Sequence, residues 1–467
     1  MNIINNILVK ISGYVWGPIT ILLLVGTGLF LSIKTRFIQF RKLPLSVKLL
    51  FSKEHSGDGD ITPFQALMTS LASTIGTGNI AGVSSAIVLG GPGAIFWMWV
   101  SAAFGGASKY GEALLAIKYR ITNEDGEKSG GPMFYIEKGM KEKFGRNFKW
   151  LGFTFAFFGF LASFGIGNMI QANSVASAIN ESFGISSWIT GIILSILVGA
   201  VIIGGIKNIG RITDKIVPAM AIGYVLGSLI ILTININLVP NAFAMIFKNA
   251  FSGKAVGGGV LGTVIRFGVA RGVFSNEAGL GSAAIAHAAS TNDKPVIQGL
   301  IGSLGSVIDT LIICTMTALV ILVSPLITIG NDGMMLIEEN MRGAALTTFA
   351  FDTSLPILGG YIVSLGLVFF AFSTILGWFY YGSKCLEYIA GIKSVKYYKF
   401  IWVILCFAGA MFPIKVVWNI SDIFNGLMAI PNLIALISLS PIIVKLTIDF
   451  EKKITHNNDK KIKTKTA

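Results

Sequence analysis

Two stretches of the chain set small polar residues among glycines inside otherwise apolar sequence. The first, Thr69 to Gly82, reads T-S-L-A-S-T-I-G-T-G-N-I-A-G, with Gly76 and Gly78 flanking Thr77 and Asn79 following. The second, Gly268 to Ser282, reads G-V-A-R-G-V-F-S-N-E-A-G-L-G-S, with Gly272, Gly279 and Gly281 around Phe274, Ser275, Asn276 and Glu277. Glycine weakens a helix interior by about 1 kcal/mol relative to alanine, so each cluster predicts an unwound turn, at Gly76–Asn79 and at Gly272–Asn276. Unwinding frees backbone N–H and C=O groups that lipid cannot satisfy. A half-helix starting near Gly78–Asn79 presents N–H groups and the positive end of its dipole, which suit a carboxylate. The half-helix before it ends in carbonyls around Ala72 to Ile75, which suit a cation. Near Phe274–Asn276, carbonyls and an amide side chain can accept from an ammonium. Together these describe a site for a zwitterion with a cation beside it. A single glycine in a membrane helix usually serves close packing; the polar side chains at the same depth turn the reading toward a site.

Ionisable residues inside apolar runs are the next candidates, because such charges default to functional roles. Asp309 lies midway along an apolar run; it suits a second cation, a proton, or pairing with Arg271 or Arg266. Glu277 follows the second glycine cluster, where freed N–H groups can bond it. Lys109 and Glu112 are spaced as a one-turn pair and read as lying near the membrane interface. His287 reads as solvated or packed, while His55 and His456 fall in polar segments. Cys314, Cys385 and Cys406 lack metal-ligand spacing and form no disulfide framework. There is no H-E-x-x-H and no G-x-S-x-G, so an intramembrane enzyme is disfavoured. An ion channel needs rings of ligands or a continuous polar pore, which one asymmetric pair of breaks does not supply.

The elements that must hold these residues are apolar helices. Hydrophobic residues make up 53% of the chain and charged residues 13%, against about 25% charged in soluble domains, and the mean hydropathy is +0.73. Runs of 18 or more apolar residues read as helical spans; barrel strands would alternate over about 10 residues. Eleven spans are expected: a leading helix, Val15–Ile33, and ten core helices, Pro63–Leu89, Ala94–Tyr119, Leu151–Asn180, Ser187–Ile206, Ile212–Ile234, Val260–Ala288, Ile297–Ile327, Gly359–Ile389, Phe400–Val417 and Phe424–Ile448. The leading run has no A-x-A-like cleavage site and reads as a retained span. The two glycine clusters fall in core helices one and six. Units five spans apart are inverted, and interrupted helices at matching places in inverted halves point to a transporter's binding site. The expected organisation is residues 1–61 as extra helix and basic loop, 62–236 and 237–449 as the two inverted repeats, and 450–467 as a basic tail.

The net charge of +14 sits in alternate short loops and the tail Lys452 to Lys465, which fits an anionic leaflet rather than nucleic acid. Lys34, Arg36, Arg41, Lys42, Lys48 and Lys53 follow the leading helix, and Lys118 to Lys149 carries eight cations after core helix two. By contrast the loop Thr328 to Leu358 has Arg342 alone against Asp332, Glu338, Glu339 and Asp352. The alternation predicts an N-terminus outside, a cytoplasmic C-terminus, and a multi-pass protein of the plasma (inner) membrane.

G-G-P-G-A-I-F-W-M-W-V at Gly90–Val100 resembles the signature of the alanine or glycine:cation symporter family. T-I-G-T-G-N-I-A-G at Thr74–Gly82 and R-G-V-F-S-N-E-A-G-L-G-S at Arg271–Ser282 look like that family's two broken-helix motifs. One departure is Gly106, where the signature has a glycine followed directly by Ala, Thr or Met. The resemblance covers nearly the whole chain. It implies an all-α LeuT-type 5+5 inverted repeat with one extra N-terminal helix. It also implies uptake of alanine, glycine or similar small amino acids coupled to Na+, with H+ as an alternative ion, by a protein functional as a monomer in the lipid bilayer. A larger amino acid or a nucleobase is the alternative solute within the same fold. By the same resemblance, Gly76, Thr77, Gly78 and Asn79 hold the carboxylate, and Phe274, Ser275 and Asn276 line the amino end. Phe164, Gln171 and Trp378 then face the pocket, their bulk limiting it to small side chains. Ser373 and Thr374 match the fold's sodium-binding hydroxyl pair, with the carbonyls of Ala72 and Ile75 completing an oxygen cage of the kind hard cations prefer.

Overall fold

The computed structural model describes residues 2–52, 57–251, 260–324, 328–329, 335–336 and 343–465. Lys53, His55 and the loop charges Asp332, Glu338, Glu339 and Arg342 lie outside the described residues.

Each expected span is mainly helical where it is described, apart from the breaks in core helices one and six and short turns in a few others. Among the described residues seven helices are long and apolar enough to cross a membrane, eight if one bent pair is a single span. Three of the eleven expected spans fall outside that set for separate reasons. Core helix two, Ala94–Tyr119, carries Lys109, Glu112 and Lys118 in its second half. Core helix four, Ser187–Ile202, is 16 residues long, short of the roughly 20 a span needs. Core helix six is divided into Val260–Asn276 and Ser282–Ala288.

The leading helix starts earlier than expected, as Asn2–Val15 and Pro18–Lys34, joined through an extended Gly17. The final helix runs without interruption from Lys415 to Lys465, so the tail expected as a separate segment continues core helix ten. The basic loop after core helix two is also structured. It forms a hairpin, Ile121–Thr122 with Lys128–Ser129, followed by helical turns from Pro132 to Phe144.

Core helix one starts at a capping box: Thr62 Oγ1 accepts from Gln65 N (3.1 Å) and Gln65 Oε1 accepts from Thr62 N (3.1 Å). The helix stops at Thr74, Ile75 turns extended, and a π-turn at Gly78–Gly82 leads into Val83–Gly90. The two halves meet at a bend of 53°, where the glycines predicted it.

Core helix six breaks later than predicted. Gly272 to Asn276 is helical, and the chain unwinds over residues 277–281, where Glu277, Gly279 and Gly281 have φ of 55°, 86° and 84°. Gly272 serves another purpose. A β-carbon there would crowd Ser101 and the Met98 backbone, so its small size lets core helix six approach core helix two. Gly279 and Gly281 supply the left-handed conformations that side chains resist. Two further π-turns, Gly165–Met169 in core helix three and Val307–Cys314 in core helix seven, flank the region between the breaks. Such turns often mark functional sites, and hydropathy patterning gives no sign of them.

Candidate functional site

The end of the first half of core helix one lies against core helix eight, Leu358–Ala390. Thr374 Oγ1 is 3.0 Å from Ala72 O, 3.3 Å from Ile75 O and 2.9 Å from Phe370 O. One hydroxyl has a single proton to donate, so it cannot satisfy three carbonyls, and the cluster is rich in oxygen lone pairs. Carbonyls at a helix end have no intrahelical partners, and such oxygen sets suit a hard cation. Ser373 does not bond the carbonyls of Ala72 and Ile75. Its hydroxyl bonds Phe370 O (2.9 Å) and lies 3.7 Å from Met220 Sδ of core helix five. Adjacent residues on a helix point about 100° apart, so one hydroxyl of the expected pair turns away.

Beside the oxygen cluster is a cavity of about 20 Å³, on the scale of one water molecule. Of the residues expected to form the site, Gly76, Thr77, Gly78, Gln171, Phe274 and Trp378 line it, together with Thr374. A β-carbon on Gly76 would sit 2.6 Å from Thr374 Oγ1, and one on Gly78 would sit 3.2 Å from Ser275 Cα. These glycines therefore allow close approach of three helices as well as the break itself. Thr77 and Gly78 stand at the head of the following helical segment, where N–H groups lack intrahelical partners.

Four of the residues expected to bind the substrate do not line the cavity. Asn79 is used internally: its Oδ1 accepts from Gly76 N (2.9 Å) and its Nδ2 donates to Asp309 Oδ1 (2.7 Å). Ser275 Oγ donates to Asp309 Oδ2 (2.8 Å). Asn276 Nδ2 donates to Thr310 Oγ1 (3.0 Å), and its Oδ1 accepts from Ala278 N (2.9 Å). Phe164 packs against Phe160, Tyr398 and Trp402 instead. In each case the neighbouring helix decides which way the side chain turns.

Five lining residues were not anticipated: Ser73, Thr74, Ile166, Glu277 and Asn425. Ser73 and Thr74 lie beside the cluster that drew attention to Gly76. Asn425 had no such signal, since nothing in the apolar run of core helix ten sets it apart from its other polar residues, such as Asn432 and Ser440.

Asp309 is fully buried and joins the two breaks. Beyond Asn79 and Ser275, Thr310 Oγ1 donates to its Oδ2 (2.8 Å). Pairing with an arginine is not what the fold provides. Arg271 lies over the Phe274 ring at 5.7 Å and Arg266 over the Phe267 ring at 5.8 Å. Neutral donors on core helices one, six and seven hold the carboxylate instead. Glu277 is also buried; it accepts from the Ser282 hydroxyl rather than from freed backbone N–H groups. Lys109 and Glu112 are 1% and 0% exposed, so they are not an interfacial pair. Glu112 accepts from Asn432 Nδ2 (2.7 Å), and Lys109 has Glu277, Asp309 and Glu112 as its charged neighbours. His287 is packed, with Nδ1 2.8 Å from Gln298 Nε2.

At the basic end of the molecule ion pairs tie loops to helix ends. Arg120 bridges Asp293 and the carbonyls of Asp58, Ala288 (3.0 Å) and Ser290. Lys384 reaches Glu387 (2.8 Å), Glu127 (3.2 Å) and Ser129 (3.0 Å). The Lys128 ammonium, 2.7 Å from Asp58, holds that carboxyl below the usual range, whereas burial pushes Asp60 above it.

The model of the sodium:alanine symporter family matches residues 1–464. The sodium/alanine symporter AgcS of Methanococcus maripaludis is 52% identical over 444 residues, covering 95% of this chain and 96% of that protein. The probable sodium/glutamine symporter GlnT of Bacillus subtilis is 36% identical over 454 residues, covering 97% and 91%. Among solved structures, MhsT in complex with L-phenylalanine aligns with a TM-score of 0.56 at 13% identity, over 84% of this chain and 99% of that one. A Na+-coupled sialic acid symporter in an outward-open state aligns at 0.50 and 12% identity, over 91% and 98%. At these identities the likeness is one of fold, that of the LeuT-type transporters.

Proposed function

The chain belongs to the sodium:alanine symporter family, and on that premise we propose that it imports small neutral amino acids, alanine or glycine, together with Na+ by alternating access. As a family member it is a multi-pass membrane transporter and not an enzyme. One observation carries the finer reading: a single break in core helix one has carbonyl oxygens on one side and the head of a helix on the other. Ala72 O, Ile75 O and Thr374 Oγ1 form the Na+ site, with Ser373 adjacent to it. Thr77 and Gly78 N–H groups, beside Gly76, receive the carboxylate. Trp378, Phe274 and Ile166 wall the cavity and exclude large side chains, since overfilling a packed site is unfavourable. Asn79 acts by holding the break in shape.

In this reading residues 62–236 and 237–449 are inverted repeats, the leading helix is the eleventh span, the N-terminus is outside and the C-terminus cytoplasmic. The protein works as a monomer. A proton as coupling ion is the second reading, favoured by Asp309 lying buried between the two breaks with Lys109 and Glu277 near it.

The test is uptake of labelled alanine and glycine into proteoliposomes under imposed Na+ or H+ gradients, with glutamine and the D-enantiomers as competitors. A Na+ gradient is expected to drive saturable uptake. Folded protein that takes up neither amino acid, or is indifferent to Na+, overturns the reading; response to a pH gradient alone selects the proton.

A further inference from the structure

We propose that the ammonium end of the substrate is bound by two amide oxygens, Gln171 Oε1 on core helix three and Asn425 Oδ1 on core helix ten, rather than by Ser275 or Asn276 of core helix six. The inference rests on the amino-acid reading above and adds a recognition residue to it.

Both side chains line the cavity and both are buried, at 4% and 1% exposure. Neither oxygen has a hydrogen-bond partner among the described residues. A buried acceptor without a partner is costly and uncommon in a folded protein, and two of them on residues that line one cavity point to what the missing partner must be. It must donate. A carboxylate only accepts, whereas an ammonium offers three N–H groups and accepts nothing.

The orientation of Gln171 is fixed by its other end. Nε2 donates to Ile166 O (3.0 Å) and Thr77 Oγ1 (3.2 Å). Exchanging the two amide atoms would set the oxygen against the Ile166 carbonyl, acceptor against acceptor. Oε1 is left facing Gly76, 3.4 Å from where a β-carbon would stand. Asn425 is held one turn beyond Ser421, which packs so tightly on Gly165 that a methyl there would overlap it. Core helices three and ten thus bring both side chains to the cavity.

Ser275 and Asn276, the polar side chains of core helix six expected at the amino end, are committed elsewhere, since Ser275 bonds Asp309 and Asn276 bonds Thr310 and Ala278. An α-amino acid carries both charges on one carbon, so its donors and acceptors must be recognised side by side. The Thr77–Gly78 backbone and Gln171 Oε1 meet that condition. Glu277 lines the same cavity, with its carboxyl taken up by the Ser282 hydroxyl.

The test measures alanine uptake under a fixed Na+ gradient by full-length Asn425→Leu, Asn425→Ala and Asn425→Asp proteins, with alanine methyl ester as a competitor that keeps the ammonium and lacks the carboxylate. Losing one hydrogen bond to a charged group corresponds to a KM for alanine about 10- to 100-fold higher in the leucine and alanine variants. Competition by the methyl ester is expected to weaken by the same factor, and the aspartate variant, which keeps acceptor oxygens, to recover part of the affinity. An unchanged KM in a folded variant overturns the proposal. So does an aspartate variant as impaired as leucine, or methyl-ester competition that does not change. If none of the Asn425 variants folds, Gln171→Glu against Gln171→Leu applies the same comparison to the other oxygen. Wild-type protein that takes up no alanine instead overturns the substrate reading, so the two failures are distinguishable.

Discussion

Thr374 and Ser373 are chemically similar neighbours with opposite surroundings. Thr374 faces two carbonyls freed by the break, while Ser373 is spent on Phe370 O and faces Met220. Removing the Thr374 hydroxyl takes away a ligand and leaves the carbonyls without it. Thr374→Ala is therefore expected to raise the Na+ concentration for half-maximal uptake by about tenfold or more, as for one contact to a charged group, with a smaller effect on alanine affinity in saturating Na+. Ser373→Ala is expected to shift the Na+ requirement by less than about threefold, since its hydroxyl mainly bonds its own helix. Uptake titrated against Na+ in both variants checks this, and equal shifts would remove the distinction. Gly76 belongs to the same argument, because its missing side chain is what lets the Thr374 hydroxyl approach the break.

The two broken helices, though similar in composition, are built differently. Core helix one opens at Ile75–Thr77 and resumes through a π-turn; core helix six stays helical to Asn276 and turns through left-handed residues. Asp309, in the π-turn of core helix seven, fastens one to the other through Asn79 and Ser275. An asparagine at 309 would replace one acceptor oxygen by a donor and leave at least one of three buried donors unmatched. Asp309→Asn is expected to cost about 1–3 kcal/mol of stability and to lower the thermal midpoint of the purified protein. A variant as stable as wild type would mean that Asp309 does not pin the breaks.

Across the whole molecule, the basic end is closed by side chains from distant parts of the sequence. Asp60 N and Ile61 N donate to Ala289 O (2.8 and 3.2 Å), and Thr291 N donates to Ile61 O (2.7 Å), which joins the start of core helix one to the end of core helix six. Arg120 covers that junction. Arg120→Ala is expected to speed amide exchange at residues 60, 61 and 291 while exchange in core helices three and eight stays as in wild type; uniform acceleration would indicate global destabilisation instead. Acid acts on the same region with a definite sign. The Asp58 carboxyl is depressed by Lys128, so its contribution is complete above its unfolded value of about 4 and is lost as pH falls through the lower folded value. Asp60, raised by burial, loses its charge first, and its protonation relieves rather than weakens the fold.

Much of this was legible in the sequence because it depends on local properties. Hydropathy located the helices, glycine with Thr and Asn located the break in core helix one, and the motifs at Gly90–Val100 and Arg271–Ser282 pointed to the family. Glycine content misplaced the break in core helix six, because a glycine that permits close packing, Gly272, looks the same in sequence as one that permits a left-handed turn, Gly279. Tertiary structure alone decided which polar side chains face the cavity. Asn79 and Asp309 are 230 residues apart, and amides and hydroxyls can bond in several directions, so their partners are chosen by how neighbouring helices rotate and pack. That is why Ser275 and Asn276, prominent in the motif, turn to core helix seven, and why Asn425, inconspicuous in an apolar run, faces the cavity between the two breaks.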